Sequence, residues 1–186
     1  MCAGHGTHHW VQGIAFRFMF RGELSKVVKR IAKLKYKDLE LNFDQIQQHA
    51  KEIEQSSELK NEKQIESPAL LSLEDQIIDS VERAPSAAIL LAWSGVETAI
   101  AGAVNRLAIS PEAPTYRSVV HNIEMLKKHQ RLSNSHYKLL HEMRVLRNKI
   151  AHEQEAMLNI SEEQASGYAK TAIGLIKHFD SYRKIG

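Results

Sequence analysis

Apolar residues recur at intervals of three and four along most of this chain, the spacing that gathers one face of a helix into a core. Leu24, Val27, Val28, Ile31 and Leu34 follow it first, and the positions between them are mostly basic. From Tyr36 to Phe43 the pattern changes to apolar-polar alternation, which predicts an extended piece, a short strand or a bridge. Asp44 to Gln55 is polar and helix-permissive, and Gln55 to Pro68 reads as a polar linker of Ser, Glu, Lys and Asn. A boundary near Ser67-Pro68 follows, because proline disfavours helix at the residue before it. The expected organisation is an aromatic and basic amphipathic segment over 1–51, a linker over 52–68 and a helical domain over 69–186.

Beyond residue 69 helical spacing predominates. Leu73 to Ala84 carries Ile77, Ile78 and Val81, and Pro85 then stands where a first helical turn tolerates it. Ser86 to Ala108 is apolar nearly all round and predicts the central, most buried helix. Ala92, Gly95, Ala99, Gly102 and Ala103 would let a neighbouring helix approach it closely. Ser110-Pro111-Glu112-Ala113-Pro114 breaks it. Tyr116 to Gln130 follows, with Val119, Val120, Ile123, Met125 and Leu126 as its apolar residues. Ser133 or Asn134 can cap the next helix, His136 to Gln154. Glu162 to Arg183 closes the series, with Ala165, Tyr168, Ala169, Ala172, Ile173, Ile176 and Phe179 on one stripe. The fold class is all-α, an up-down bundle of four or five helices with an N-terminal basic amphipathic segment.

Composition narrows the function. Of 186 residues, 43% are apolar and 25% charged, which excludes a wholly disordered chain. Nine Gly and four Pro without period exclude a collagen-like or low-complexity chain. The single Cys2 excludes a disulfide framework or a paired-cysteine metal or redox site. Lys plus Arg number 25 against 22 Asp plus Glu, so a nucleic-acid site would have to be local. No apolar run reads as long enough to cross a membrane. The nearest, Trp10 to Phe20, is interrupted by Gln12 and Arg17. The first ten residues lack the features of a signal peptide, so the expected compartment is the cytoplasm. His5, His8 and His9 could take up a metal adventitiously, but a solvated tail is the stronger reading.

Arg21 to Asp38 carries seven basic residues against two acidic ones, after the aromatic stretch Phe16, Phe18, Met19, Phe20. Three roles fit residues 16–37: packing or partner contact first, then an anionic membrane surface, then electrostatic capture of RNA.

The densest chemistry lies in His136 to Glu153. On a helix, Leu139, Met143, Leu146 and Ile150 fall together and should face the core. His141, Arg144, Val145, Asn148 and His152 cluster on nearly the opposite side, with Arg147 on the flank. Solvated faces more often use Glu and Lys, whereas Arg and His suit holding a phosphate and moving a proton. His141 and Glu142 are adjacent and do not share a face, so the zinc spacing His-Glu-x-x-His is absent.

Arg147-Asn148-Lys149-Ile150-Ala151-His152 resembles the Arg-polar-x-x-x-His signature of the HEPN superfamily, small all-α bundles. Leu139 to Leu146 resembles the run leading into that motif, and Pro85 to Glu97 resembles the first long helix of these domains, with Glu97 at its acidic position. The resemblance covers roughly residues 69–183. It implies a metal-independent endoribonuclease or RNA-binding module without cofactor, a homodimer in a bacterial defence or stress setting, and an antitoxin or regulatory protein as a further partner. Some members of the superfamily have lost activity and only bind RNA or partners.

The chemistry fits the residue types. Metal-free RNA cleavage needs a group that takes the 2′-OH proton or protonates the leaving 5′-oxygen, and donors on the phosphorane oxygens. His152 suits the proton role and Arg147 the bidentate clamp. Asn148 could orient either one, and Glu97 could orient Arg147 or His152 from the facing helix. Arg144 and His141 are candidate RNA contacts. Against this, Arg147 and Glu97 could form an interhelical ion pair, Asn148 and His152 could simply end the helix, Arg144 could be solvated, and Trp93 reads as core. The alternative function is a non-catalytic helical dimerisation or interaction domain, membrane-associated through its N-terminus.

Overall fold

The computed structural model describes residues 37–55, 68–109, 118–152 and 159–182. They form six helices and no strand. These are α1 (37–55), α2 (Pro68–Arg83), α3 (Pro85–Arg106), α4 (Val119–Lys128), α5 (Asn134–His152) and α6 (Glu162–Ser181). The fold is an all-α bundle. The chain divides into two compact units, Met1–Leu39 and Glu40–Gly186. Of the first, only 37–39 are described, so the aromatic and basic stretch proposed for membrane or RNA contact lies outside the described residues.

Two expectations at the N-terminal end are corrected. The alternating stretch Tyr36–Phe43 is helical from residue 37 onward. Its apolar residues fit two periods, and burial selects the helical one. Phe43, Ile46 and Ile53 are buried, whereas Leu41, which alternation would place on Phe43's side, is 49% exposed. The helix also runs through the expected boundary at 51/52, and residues 40–55 group with the bundle. Residues 56–67, the rest of the expected linker, lie outside the described residues.

Serines and a proline set the helix starts. Pro85 occupies the first turn of α3. The Ser118 side chain accepts the His121 N–H at 3.3 Å to cap α4, and Ser133 accepts the His136 N–H at 3.2 Å at the start of α5. Ser161 and Gln164 form a reciprocal capping box on α6, a Ser-x-x-Gln signal readable in the sequence. α3 and α4 each end on a left-handed residue that is not glycine, Ala108 (φ 49°) and Gln130 (φ 55°). In both, paired backbone bonds return to the last turn, Ala108 to Asn105 with Ile109 to Val104, and Gln130 to Lys127 with Arg131 to Leu126.

α3 is the central helix. It contacts α2, α4, α5 and α6, most extensively α6. Its Ile89, Trp93, Val96 and Ile100 are fully buried. Gly95 permits the close approach: a Cβ there would lie 2.8 Å from Ile176 Cδ1 and 3.0 Å from Leu73 Cδ2. α3 also corrects the reading that no apolar run could span a membrane. At 22 residues it is long and apolar enough to cross one, with a mean hydropathy of 1.6 over an 18-residue stretch. Here 56% of that stretch is buried among the other helices.

Candidate functional site

α5 sets the geometry. Leu139, Leu140, Met143, Leu146 and Ile150 are all buried, so the core face is the one the spacing predicts. Residues next to that stripe are drawn partly inward, and those opposite it face water.

Arg147 follows the fully buried Leu146 and is half-buried as a result. Its Nη1 donates to Asn148 Oδ1 at 3.1 Å. Its Nε is buried and has no hydrogen-bond partner among the described residues. A guanidinium carries five N–H donors, and leaving one dry and unbonded costs about 1–3 kcal/mol, more for a charged group.

Across from Arg147 stands Tyr168 of α6, fully buried, its hydroxyl donating to the Met143 carbonyl at 3.2 Å. Burial holds its phenol well above the ordinary value. The Arg147 charge opposes that shift and the Glu97 charge adds to it. Tyr168 therefore lies in the fields of both residues that the sequence singled out. Glu97 itself is held by its own helix: it accepts the Trp93 indole N–H at 2.7 Å, one turn back. No hydrogen bond or ion pair joins Glu97 to Arg147 among the described residues. Trp93 is fully buried, as expected.

His152 is the last residue of α5 and is exposed. Five positions on a helix separate two side chains by about 140° of rotation and about 7.5 Å of rise. Arg147 and His152 of one chain therefore diverge. Asn148, bonded to Arg147, stands four positions before His152 and shares its face.

Arg144 and His141 belong to a different neighbourhood. With Val120, Ile123, Glu124 and Tyr137 they line a cavity of about 30 Å³ between α4 and α5. The Tyr137 hydroxyl donates to Glu124 Oε1 at 2.7 Å. That bond, the Glu124 charge and some burial raise its pKa, and the nearby Arg144 cation counteracts them. The six candidate residues thus separate into an Arg147–Asn148 pair near Tyr168 and Glu97, an Arg144–His141 pair over α4, and His152 at the helix end.

Three features were not singled out from the sequence. Tyr168 is hidden in an otherwise apolar stripe. His49 of α1 meets Glu142 of α5 at 2.7 Å, both about four-fifths covered. His136 and His178 are buried and stack face to face, with centroids 4.4 Å apart and planes within 7°. A capping serine three residues before His136, and a tyrosine four after His178, were the only local signals for the stack. Among the described residues no group of three or more His, Cys, Asp or Glu side chains could hold a metal ion. Comparison with protein-family models, with curated proteins and with solved structures finds no match for this chain.

Proposed function

We propose that this chain is a HEPN-like module that acts on RNA as a homodimer, cleaving it without metal. The observation that carries the reading is the bonding of Arg147: one donor goes to Asn148, and the rest of the guanidinium bonds to none of the described residues. A purely structural Arg147 would be tied to the facing carboxylate, but Glu97 is held by Trp93 instead. A guanidinium held by one bond, with its terminal Nη2 donors unbonded among the described residues, is suited to the non-bridging oxygens of a phosphodiester.

In this reading the 2′-oxygen attacks phosphorus, the 5′-oxygen leaves, and the product ends in a 2′,3′-cyclic phosphate. His152 takes or returns the proton, and its exposed position leaves it accessible to substrate. Arg147 steadies the charge that develops on the phosphorane, and Asn148 holds the guanidinium in place. Because Arg147 and His152 of one chain diverge, a second copy is required to bring one protomer's imidazole toward its partner's guanidinium. The same divergence favours the second reading, a non-catalytic helical interaction domain.

The test is incubation of the full chain with single-stranded RNA in EDTA, beside Arg147→Ala and His152→Ala. Cleavage by the wild type alone, with cyclic phosphate ends, supports the enzyme. Cleavage that persists in both variants overturns it, and a wild type that dimerises without cleaving supports the interaction domain.

A further inference from the structure

A cleft of about 570 Å³ opens where α4 ends, α5 begins and α6 ends. Its walls include Lys127, Arg131, Asn134, His136, His178 and Tyr182, and among the described residues no carboxylate lines it. That volume falls in the range of small-molecule sites. The local sequence explains the sign of the charge. From Met125 to His141 there is no acidic residue, whereas Lys127, Lys128, Arg131 and Lys138 all fall within that stretch.

Each wall is held in place. The left-handed turn at Gln130 reverses the chain and presents Arg131 beside the start of α5. The Arg131 carbonyl is anchored by the Tyr182 hydroxyl, which donates to it at 2.6 Å. That hydroxyl has a single proton, so His178 Nε2, 2.9 Å away, donates to the Tyr182 oxygen. His136 Nδ1 meets the Ser133 hydroxyl at 2.9 Å, and the two imidazoles stack as the floor. Lys127 is positioned by the Asn134 side-chain oxygen and lies 5.6 Å from the Tyr137 ring.

Among the described residues, the negative groups at the adjoining end of α6 are already neutralised. The Arg106 guanidinium binds the Phe179 and Tyr182 carbonyls at 2.8 and 3.2 Å, and the Asp180 carboxylate at 3.1 Å. This quiets the C-terminal end of α6, whose partial negative charge would otherwise repel an anion. Among the described residues the Arg131 guanidinium makes no hydrogen bond or ion pair.

We propose that this cleft binds a phosphate group, free or on a small ester, with Arg131 and Lys127 as its grips and the rigid histidine stack as its floor. Arg131 supplies a bidentate fork and Lys127 a compact point charge, the two cationic modes that phosphate recognition uses. The site is separate from Arg147 and His152 and stands whether or not the RNA reading holds.

The test titrates the full chain with inorganic phosphate and, in a parallel arm, with phenyl phosphate, following the ring C–H signals of His136 and His178 by NMR and the heat by calorimetry. Both histidine signals are expected to move with saturation, and affinity is expected to fall at least about tenfold in Arg131→Ala and in Lys127→Met. Arg131 is exposed, so its truncation leaves the fold intact. Arg147→Ala should bind as the wild type does, which separates this site from the one proposed for RNA. Tighter binding of phenyl phosphate identifies an ester as the ligand, and equal affinity identifies free phosphate. No saturable shift or heat with either probe, or unchanged affinity in both cleft variants, overturns the proposal.

Discussion

The two ends of α5 handle polar groups in opposite ways. At the N-terminal end Ser133, His136, His178 and Tyr182 form a continuous chain of hydrogen bonds and ring contacts linking α5 to α6. At the C-terminal end Arg147 holds one side-chain bond among the described residues, to its own neighbour in sequence, and His152 is exposed. A group bonded to a distant part of the chain holds the fold together. A group bonded only locally does not, and its remaining donors stay free for a ligand.

That contrast can be broken by substitution. The largest loss is expected where the chemistry-bearing face meets the core: Leu146→Ala or Ile150→Ala should cost about 2–5 kcal/mol in denaturant unfolding. Near-neutral values would show that the α5 face is rotated from its described orientation. Gly95→Val comes next, at about 1–3 kcal/mol, because its side chain would press on Ile176 and Leu73 at the α3–α6 contact. Tyr168→Phe should cost about 0.5–1.5 kcal/mol by removing the bond to the Met143 carbonyl.

The same tyrosine has a pH signature. Its phenol is raised in the folded state relative to the ordinary value of 10.0. Below that value both states hold the proton and the contribution is fully present. As pH rises from there toward the folded value, the unfolded chain loses its proton first, and stability falls. Alkaline unfolding of the wild type should therefore show a slope that Tyr168→Phe removes, and identical slopes in the two proteins would contradict the burial of the hydroxyl.

Smaller still is the gain from relieving strain. Ala108→Gly should stabilise by about 0.5–1 kcal/mol, since glycine adopts a positive φ without a Cβ clash. The smallest effect on the fold is expected for His152→Ala, within about 0.5 kcal/mol by thermal unfolding, because the residue is exposed. A large fall in Tm would place His152 with the structural histidines.

The lessons from sequence differ by element. The core stripe of α5 was legible because Leu139, Met143, Leu146 and Ile150, all buried, repeat with one helical period. α3 was legible as the central helix because it is apolar on every side, and that same property makes it long and apolar enough to cross a membrane. The run from Tyr36 to Phe43 was misread because eight residues fit alternation and helical spacing equally well until burial separates Phe43 from Leu41. Arg147, Asn148 and Glu97 were visible as residue types, but their bonding was not. The interhelical ion pair that stood as the alternative reading does not form among the described residues, and Glu97 meets a tryptophan of its own helix.

From Pro68 onward, sequence by itself determined which segments coil, where serines and Pro85 begin them, and which face of α5 turns inward. These are local properties, set by spacing of three and four and by side chains acting within one turn. Only tertiary structure decided that His136 lies against His178, that Tyr168 lies in the fields of Arg147 and Glu97, and that Arg144 looks toward α4 instead. Those relations join residues on different helices, and the orientation of one helix against another depends on packing that no single segment encodes.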